Sequence, residues 1–107
     1  MNYCIILAIA AKSDLRELFR YVEQHDSAEQ ADKLVSGIER AITSLETLPQ
    51  RGHCPPELSR LGNHEYREIH FKPYRIIYVI RDKEVIVNSV LDGRRDIQTL
   101  LQQRLLR

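Results

Sequence analysis

Two rhythms of apolar residues divide the chain. From Leu15 to Leu48 they recur every three to four positions; from Tyr66 to Leu91 they alternate with polar ones. The first rhythm marks amphipathic helices and the second half-buried strands. Leu15, Leu18, Phe19 and Val22 form one helical face, opened by Ser13 or Asp14 as N-cap, with Glu17 completing a capping box. The pattern breaks at His25-Asp26, and Ser27 with Gln30 signals a second start. Ala31, Leu34, Val35, Ile38, Ala41, Ile42, Leu45 and Leu48 then make a stripe of five turns, closed by Pro49 and Gly52. The spacing predicts two antiparallel helices packed on a sheet, with a coiled-coil dimer as the other use of such a stripe. Ahead of them, Tyr3 to Ala10 is apolar almost throughout and reads as a strand buried on both faces, with a helical continuation as the alternative and Cys4 a small core residue.

Three strands are expected over Tyr66–Phe71, Tyr74–Arg81 and Glu84–Leu91, joined by Lys72-Pro73 and Asp82-Lys83. The simplest pairing sets Phe71 against Tyr74, His70 against Arg75, Arg81 against Glu84, and Ile77 against Asn88. One face then carries Ile69, Phe71, Tyr74, Ile76, Tyr78, Ile80, Val85, Val87 and Leu91 as core. The other carries Glu68, His70, Arg75, Arg81, Glu84 and Asn88, with Ile77, Val79 and Ile86 among them. A one-residue slip would bury the arginines, which argues for this register. After Gly93 come Arg94, Arg95 and Asp96, and then Ile97, Leu100, Leu101 and Leu105 at helical spacing, a tail that folds onto its own sheet or onto a partner. The fold class is α+β: an N-terminal strand, an antiparallel helical hairpin, a mainly antiparallel three-strand run and a C-terminal helix, in a single domain over 1–107.

Composition changes this picture little. In 107 residues, a 43% hydrophobic and 29% charged content is that of an ordinary globular domain. A net charge of +1 gives no global attraction to nucleic acid or membrane, so any electrostatic footprint is local. The start, MNYCIILAIAAKSD, lacks a basic leader, and its apolar run ends at Lys12, short of the ~20 residues that span a bilayer. Two cysteines in unrelated contexts favour a reducing compartment, and a cytoplasmic location is expected. Gln50 to His64 reads as a surface connection. His53-Cys54 with His64 fits no zinc spacing, so neither metal nor cofactor is expected.

Candidate chemistry sits on the polar strand face. His70, Arg75, Arg81, Arg94 and Arg95 would concentrate positive charge in one hollow; guanidinium groups bind phosphate bidentately, and histidine exchanges protons near neutrality. Metal-free RNA cleavage needs a base, an acid and cations for the developing charge. His70, Arg75 and Arg95 are the candidate catalytic set. Arg67, Arg75, Arg81, Asn88, Arg94 and Arg95 are the candidate binding surface for a target or partner. The same arginines also suit plain pairing with Glu68, Glu84 and Asp96. Tyr74 and Tyr78 suit the core better than base stacking.

The layout resembles the ParE/RelE superfamily of bacterial toxins from type II toxin–antitoxin modules. The matching residues are Ala11 and Asp14-Leu15, Leu48-Pro49 and Gly52, Tyr66-Arg67, Tyr74-Arg75-Ile76-Ile77-Tyr78 and Gly93-Arg94-Arg95-Asp96, spread over nearly the whole chain. The resemblance implies a helical hairpin and a C-terminal helix against the sheet. It also implies a cognate antitoxin in a toxin–antitoxin hetero-oligomer, and no membrane. RelE-like members cut mRNA on the ribosome; ParE-like members poison DNA gyrase. Of the ribonuclease positions, one Arg is replaced here by His70, another is matched by Arg95, and the tail Tyr is replaced by Leu101. No lysine pair precedes them between Pro55 and His64. The ParE-like branch is therefore expected, with an mRNA endoribonuclease as the alternative and a non-toxic interaction protein as the third.

Overall fold

The structure, a computed structural model, describes residues 2–105. Strand β1 (Cys4–Leu7) leads into helices α1 (Ile9–His25) and α2 (Ala28–Thr43). Short helical turns follow at Ser44–Glu46, Pro49–Arg51 and α3 (Pro56–Ser59). Strands β2 (Tyr66–Phe71), β3 (Tyr74–Arg81) and β4 (Glu84–Asp92) come next, and α4 (Ile97–Leu105) ends the described chain. The sheet order is β1-β4-β3-β2, with β1 parallel to β4 and the other pairs antiparallel. The α+β class and element order are those the alternation and periodicity predict.

The hairpin packs its stripe on one sheet face. Ala11, Leu15, Ile38, Ile42 and Leu45 meet Ile76, Tyr78, Val85, Val87 and Val90 in the main core. Ser27 caps α2 as expected, accepting the Gln30 N–H at 3.1 Å. The stripe stops short of Leu48, which adopts a left-handed conformation (φ 54°) with its side chain exposed.

Four expectations change. The N-terminal strand is a four-residue edge strand with alternating exposure, and Cys4 is exposed rather than core. An edge position leaves one side of the strand open, and the alanines after Leu7 let the helix begin at Ile9. Asp14 therefore lies inside α1 and caps nothing there; its carboxylate accepts the β4 N–H of Val90 at 2.9 Å. The β3–β4 ladder carries a bulge at Ile77/Tyr78, so Ile77 faces Ser89 and Asn88 falls within the irregularity. One extra residue inverts the parity beyond it. Val90 thus enters the main core and Leu91 turns to the opposite face.

That opposite face is not open. Leu58 of α3 and Ile97 and Leu101 of α4 cover Ile77 and Leu91 in a second, smaller core. The tail folds back on its own sheet, and the segment from Gln50 to His64 contributes a fully buried leucine instead of running wholly over the surface.

Candidate functional site

Strand parity puts Glu68 and His70 on the same face of β2, and Arg75 lies directly across from His70 on β3. Glu68 is 1% exposed, under the α3 side of the sheet. A carboxylate so desolvated needs charged hydrogen-bond partners. Arg75 supplies them: Nε is 2.5 Å from Oε1 of Glu68 and Nη2 is 3.0 Å from Oε2. The same guanidinium grips Glu57 of α3, with Nη1 2.8 Å from Oε2 and Nη2 2.7 Å from Oε1. The hydrogen bonds from Arg75 hold the Glu57 carboxyl below its usual range, and those same bonds push the guanidinium pKa up. Arg75 thus spends four of its five N–H groups on carboxylates and has little left for a phosphate.

His53 and His70 complete this cluster. Nε2 of His53 is 3.0 Å from Oε2 of Glu68, and Nε2 of His70 is 3.4 Å from Oε1. Their rings meet edge to face at 5.3 Å. His53 is fixed by main-chain bonds in both directions with Glu68, at 2.7 and 3.2 Å.

Arg95 is elsewhere. It lines a cavity of about 390 Å³ between α1 and the end of the β3–β4 hairpin, with Glu17 and Tyr21 of α1, Tyr74, Asp92 and Arg94. Tyr74 belongs to the helix-side face of the sheet, opposite Arg75. Arg94 donates from Nε and Nη2 to the two oxygens of Asp92 at 2.9 and 2.7 Å, which draws the Asp92 carboxyl down to about 2. Tyr21 is 61% exposed at the rim.

The remaining predicted site residues scatter. Arg67 donates to the Gln50 and Gly52 carbonyls at 2.9 and 2.8 Å, clasping the turn after α2. Arg81 pairs with Glu65 at 2.9 Å on the surface, and Asn88 accepts from the Ser89 hydroxyl at 2.7 Å. His70 and Arg75 come together as expected, but the single basic hollow does not form. Acidic partners occupy the arginines, and Arg95 leaves the strand after Gly93, where alternation no longer sets direction. Neither Glu57 nor His53 is marked as a cluster member by pattern or spacing, because both come from an irregular segment. Tyr21 was visible only as a large aromatic off the apolar stripe.

Comparison with known proteins adds a family-level finding. A family model described as the ParE toxin of type II toxin-antitoxin system, parDE, matches residues 5–97. Toxin ParE3 of Caulobacter vibrioides is 25% identical over 100 residues, 94% of this chain and 96% of that one. Among solved structures, the chromosomal ParDE toxin–antitoxin system of P. aeruginosa superimposes with a TM-score of 0.68 at 17% identity, over 82% of this chain and 92% of that one. The toxin–antitoxin complex RelBE2 of Mycobacterium tuberculosis gives 0.64 at 18% identity, over 86% and 92%. At these identities the two structures speak for the fold.

Proposed function

Because the chain belongs to the ParE toxin family of type II toxin–antitoxin systems, we propose that it is a toxin silenced by a cognate antitoxin and directed at DNA gyrase rather than at mRNA. The observation that carries this reading is the state of Arg75. Its guanidinium is held by Glu57 and Glu68, His70 is turned to the same carboxylate, and Arg95 lies on the far side of β3. Cleavage at a 2′-hydroxyl needs base, acid and unpaired cations converging on one phosphate. The engagement of Arg75 by two carboxylates and the distance of Arg95 from the His70–Arg75 pair support a toxin that acts by binding.

The cavity beside α1 is the surface best suited to a protein partner. Tyr21 and Tyr74 offer aromatic area, and the rim is mixed in charge, with Arg95 and the Arg94–Asp92 pair beside Asp14 and Glu17. Aromatic and arginine anchors of this kind dominate interface energetics. An acidic, amphipathic antitoxin segment fits this combination. Both structural relatives are described as toxin–antitoxin systems or complexes, which favours such a partner. No helix among the described residues is long and apolar enough to cross a membrane.

One preparation of the protein, added in parallel to a gyrase supercoiling reaction and to a translation extract, tests this. Supercoiling should fall while reporter mRNA stays whole. Cut mRNA with supercoiling intact would establish the ribonuclease reading, and no effect in either reaction, with no growth arrest on induced expression, would establish a non-toxic interaction protein.

A further inference from the structure

The trio His53, Glu68 and His70 performs no task in the proposed function, yet its donor atoms all lie within 4.8 Å of one another. We infer that these residues form a binding site for a divalent transition-metal ion of the zinc class, with Nε2 of each histidine and the Glu68 carboxylate as ligands. The inference stands apart from the gyrase reading.

Geometry is the first argument. Ligands about 2.0–2.2 Å from a tetrahedral ion sit roughly 3.3–3.5 Å from each other. His53 Nε2 is 3.0 Å from Oε2 of Glu68 and His70 Nε2 is 3.4 Å from Oε1, with all three donors inside 4.8 Å, so ligation requires the imidazoles and the carboxylate to turn towards one common point. The backbone supplies the second. Glu68 and His70 are two apart on β2, and His53 is tied to Glu68 by main-chain bonds in both directions. All three positions are therefore set by sheet geometry before any ion arrives.

Charge is the third argument. Two carboxylates, Glu57 and Glu68, share the single Arg75 guanidinium. Arg60 also acts on Glu57, so the charge that faces the two imidazoles is the Glu68 carboxylate itself, and a cation would meet it there. Arg75 donates to both oxygens of Glu68 and orients its carboxylate, and Glu57 in turn orients Arg75, the outer-shell arrangement that metal sites use. Two imidazoles and one carboxylate select zinc, cobalt, nickel or copper over calcium and magnesium, which require mostly oxygen ligands. Three protein ligands leave a position for water or for a donor from a partner. An ion here would pin the Gly52–Pro56 stretch to the outer strand β2.

Cys54 and His64 lie 4.0 Å apart in the same loop region and are the competing pair. Calorimetric titration of the full chain with Zn²⁺ under reducing, chelator-free conditions is expected to show one ion per chain, with a dissociation constant of micromolar order. His53→Gln/His70→Gln should weaken binding by more than the ~10–100-fold that loss of an outer-shell partner costs. Cys54→Ser/His64→Gln should bind as the wild type does. Co²⁺ added to the wild type should give weak visible bands without thiolate-to-metal charge transfer, a readout that needs no variant to fold. No binding by the wild type, undiminished binding by the His53/His70 variant, or a thiolate band would each overturn the assignment.

Discussion

Arg104 of α4 holds Asp14 of α1 through a two-point pair, Nη1 to Oδ2 at 2.7 Å and Nη2 to Oδ1 at 2.8 Å, across 90 residues of sequence. The same carboxylate takes the Val90 N–H, and Arg104 also reaches the Ser89 hydroxyl at 2.9 Å. The tail helix is thereby latched to the hairpin at the edge of the main core. Asp14→Ala strands a partly buried guanidinium and a strand N–H together. It should cost about 2–4 kcal/mol, and Arg104→Ala somewhat less. In a domain of this size, thermal melting of Asp14→Ala should show a fall of roughly 10 °C or more.

Tyr78 anchors the turn that closes the hairpin layer. Its hydroxyl donates to the Pro49 carbonyl at 2.6 Å and accepts the Gly52 N–H at 3.1 Å, both inside the protein. Tyr78→Phe leaves these two groups unpaired and should destabilise by about 1–3 kcal/mol in urea unfolding, with the slope unchanged. Gly52→Ala should be worse, because a Cβ there would collide with the Tyr78 hydroxyl and come within 2.8 Å of the Glu68 carbonyl.

Acid should weaken the fold in a defined window. Arg94 holds Asp92 at about 2, against an ordinary value of 3.8, and Arg75 holds Glu57 below its ordinary 4.5. Both carboxylates bind protons more readily unfolded than folded, so their contribution is complete above the ordinary values. It drains as pH falls from there towards the folded values. Denaturant midpoints should be flat in this respect above about pH 5 and drop between about pH 4.5 and 2. Arg94→Ala should remove the lower part of that drop. Salt should shrink the Asp92 contribution more, since Arg94 is the more exposed partner.

The cavity beside α1 should matter for binding and not for folding. Tyr21→Ala and Arg95→Glu change exposed side chains, so melting should shift by no more than about 0.5 kcal/mol equivalent. Affinity for the cognate antitoxin, measured by calorimetry, should fall at least ~10-fold for each, the loss typical of an interface anchor.

Much of the architecture was legible because local signals agreed. Alternation bounded by Lys72-Pro73 and Asp82-Lys83 located β2 to β4 almost residue for residue, and fixed the His70–Arg75 and Arg81–Glu84 pairings. The bulge at Ile77/Tyr78 was not legible, since nothing in a run of β-branched and aromatic residues marks where a ladder takes an extra member. That single insertion moved Leu91 to the other core. In the site, parity correctly joined Glu68, His70 and Arg75 on one face. It was silent about Glu57 and His53, whose positions follow from tertiary packing of an irregular stretch. Cys4 misled because an apolar run looks the same at a sheet's edge and at its centre until its neighbours are known.

The most direct test of the gyrase reading is a plasmid supercoiling titration with purified gyrase, followed for both product topology and trapped, cleaved DNA. Supercoiling should decline and cleaved plasmid build up as the protein is added, with His70→Ala as active as the wild type. Unchanged topology at every concentration, from protein that does arrest growth, would contradict that reading.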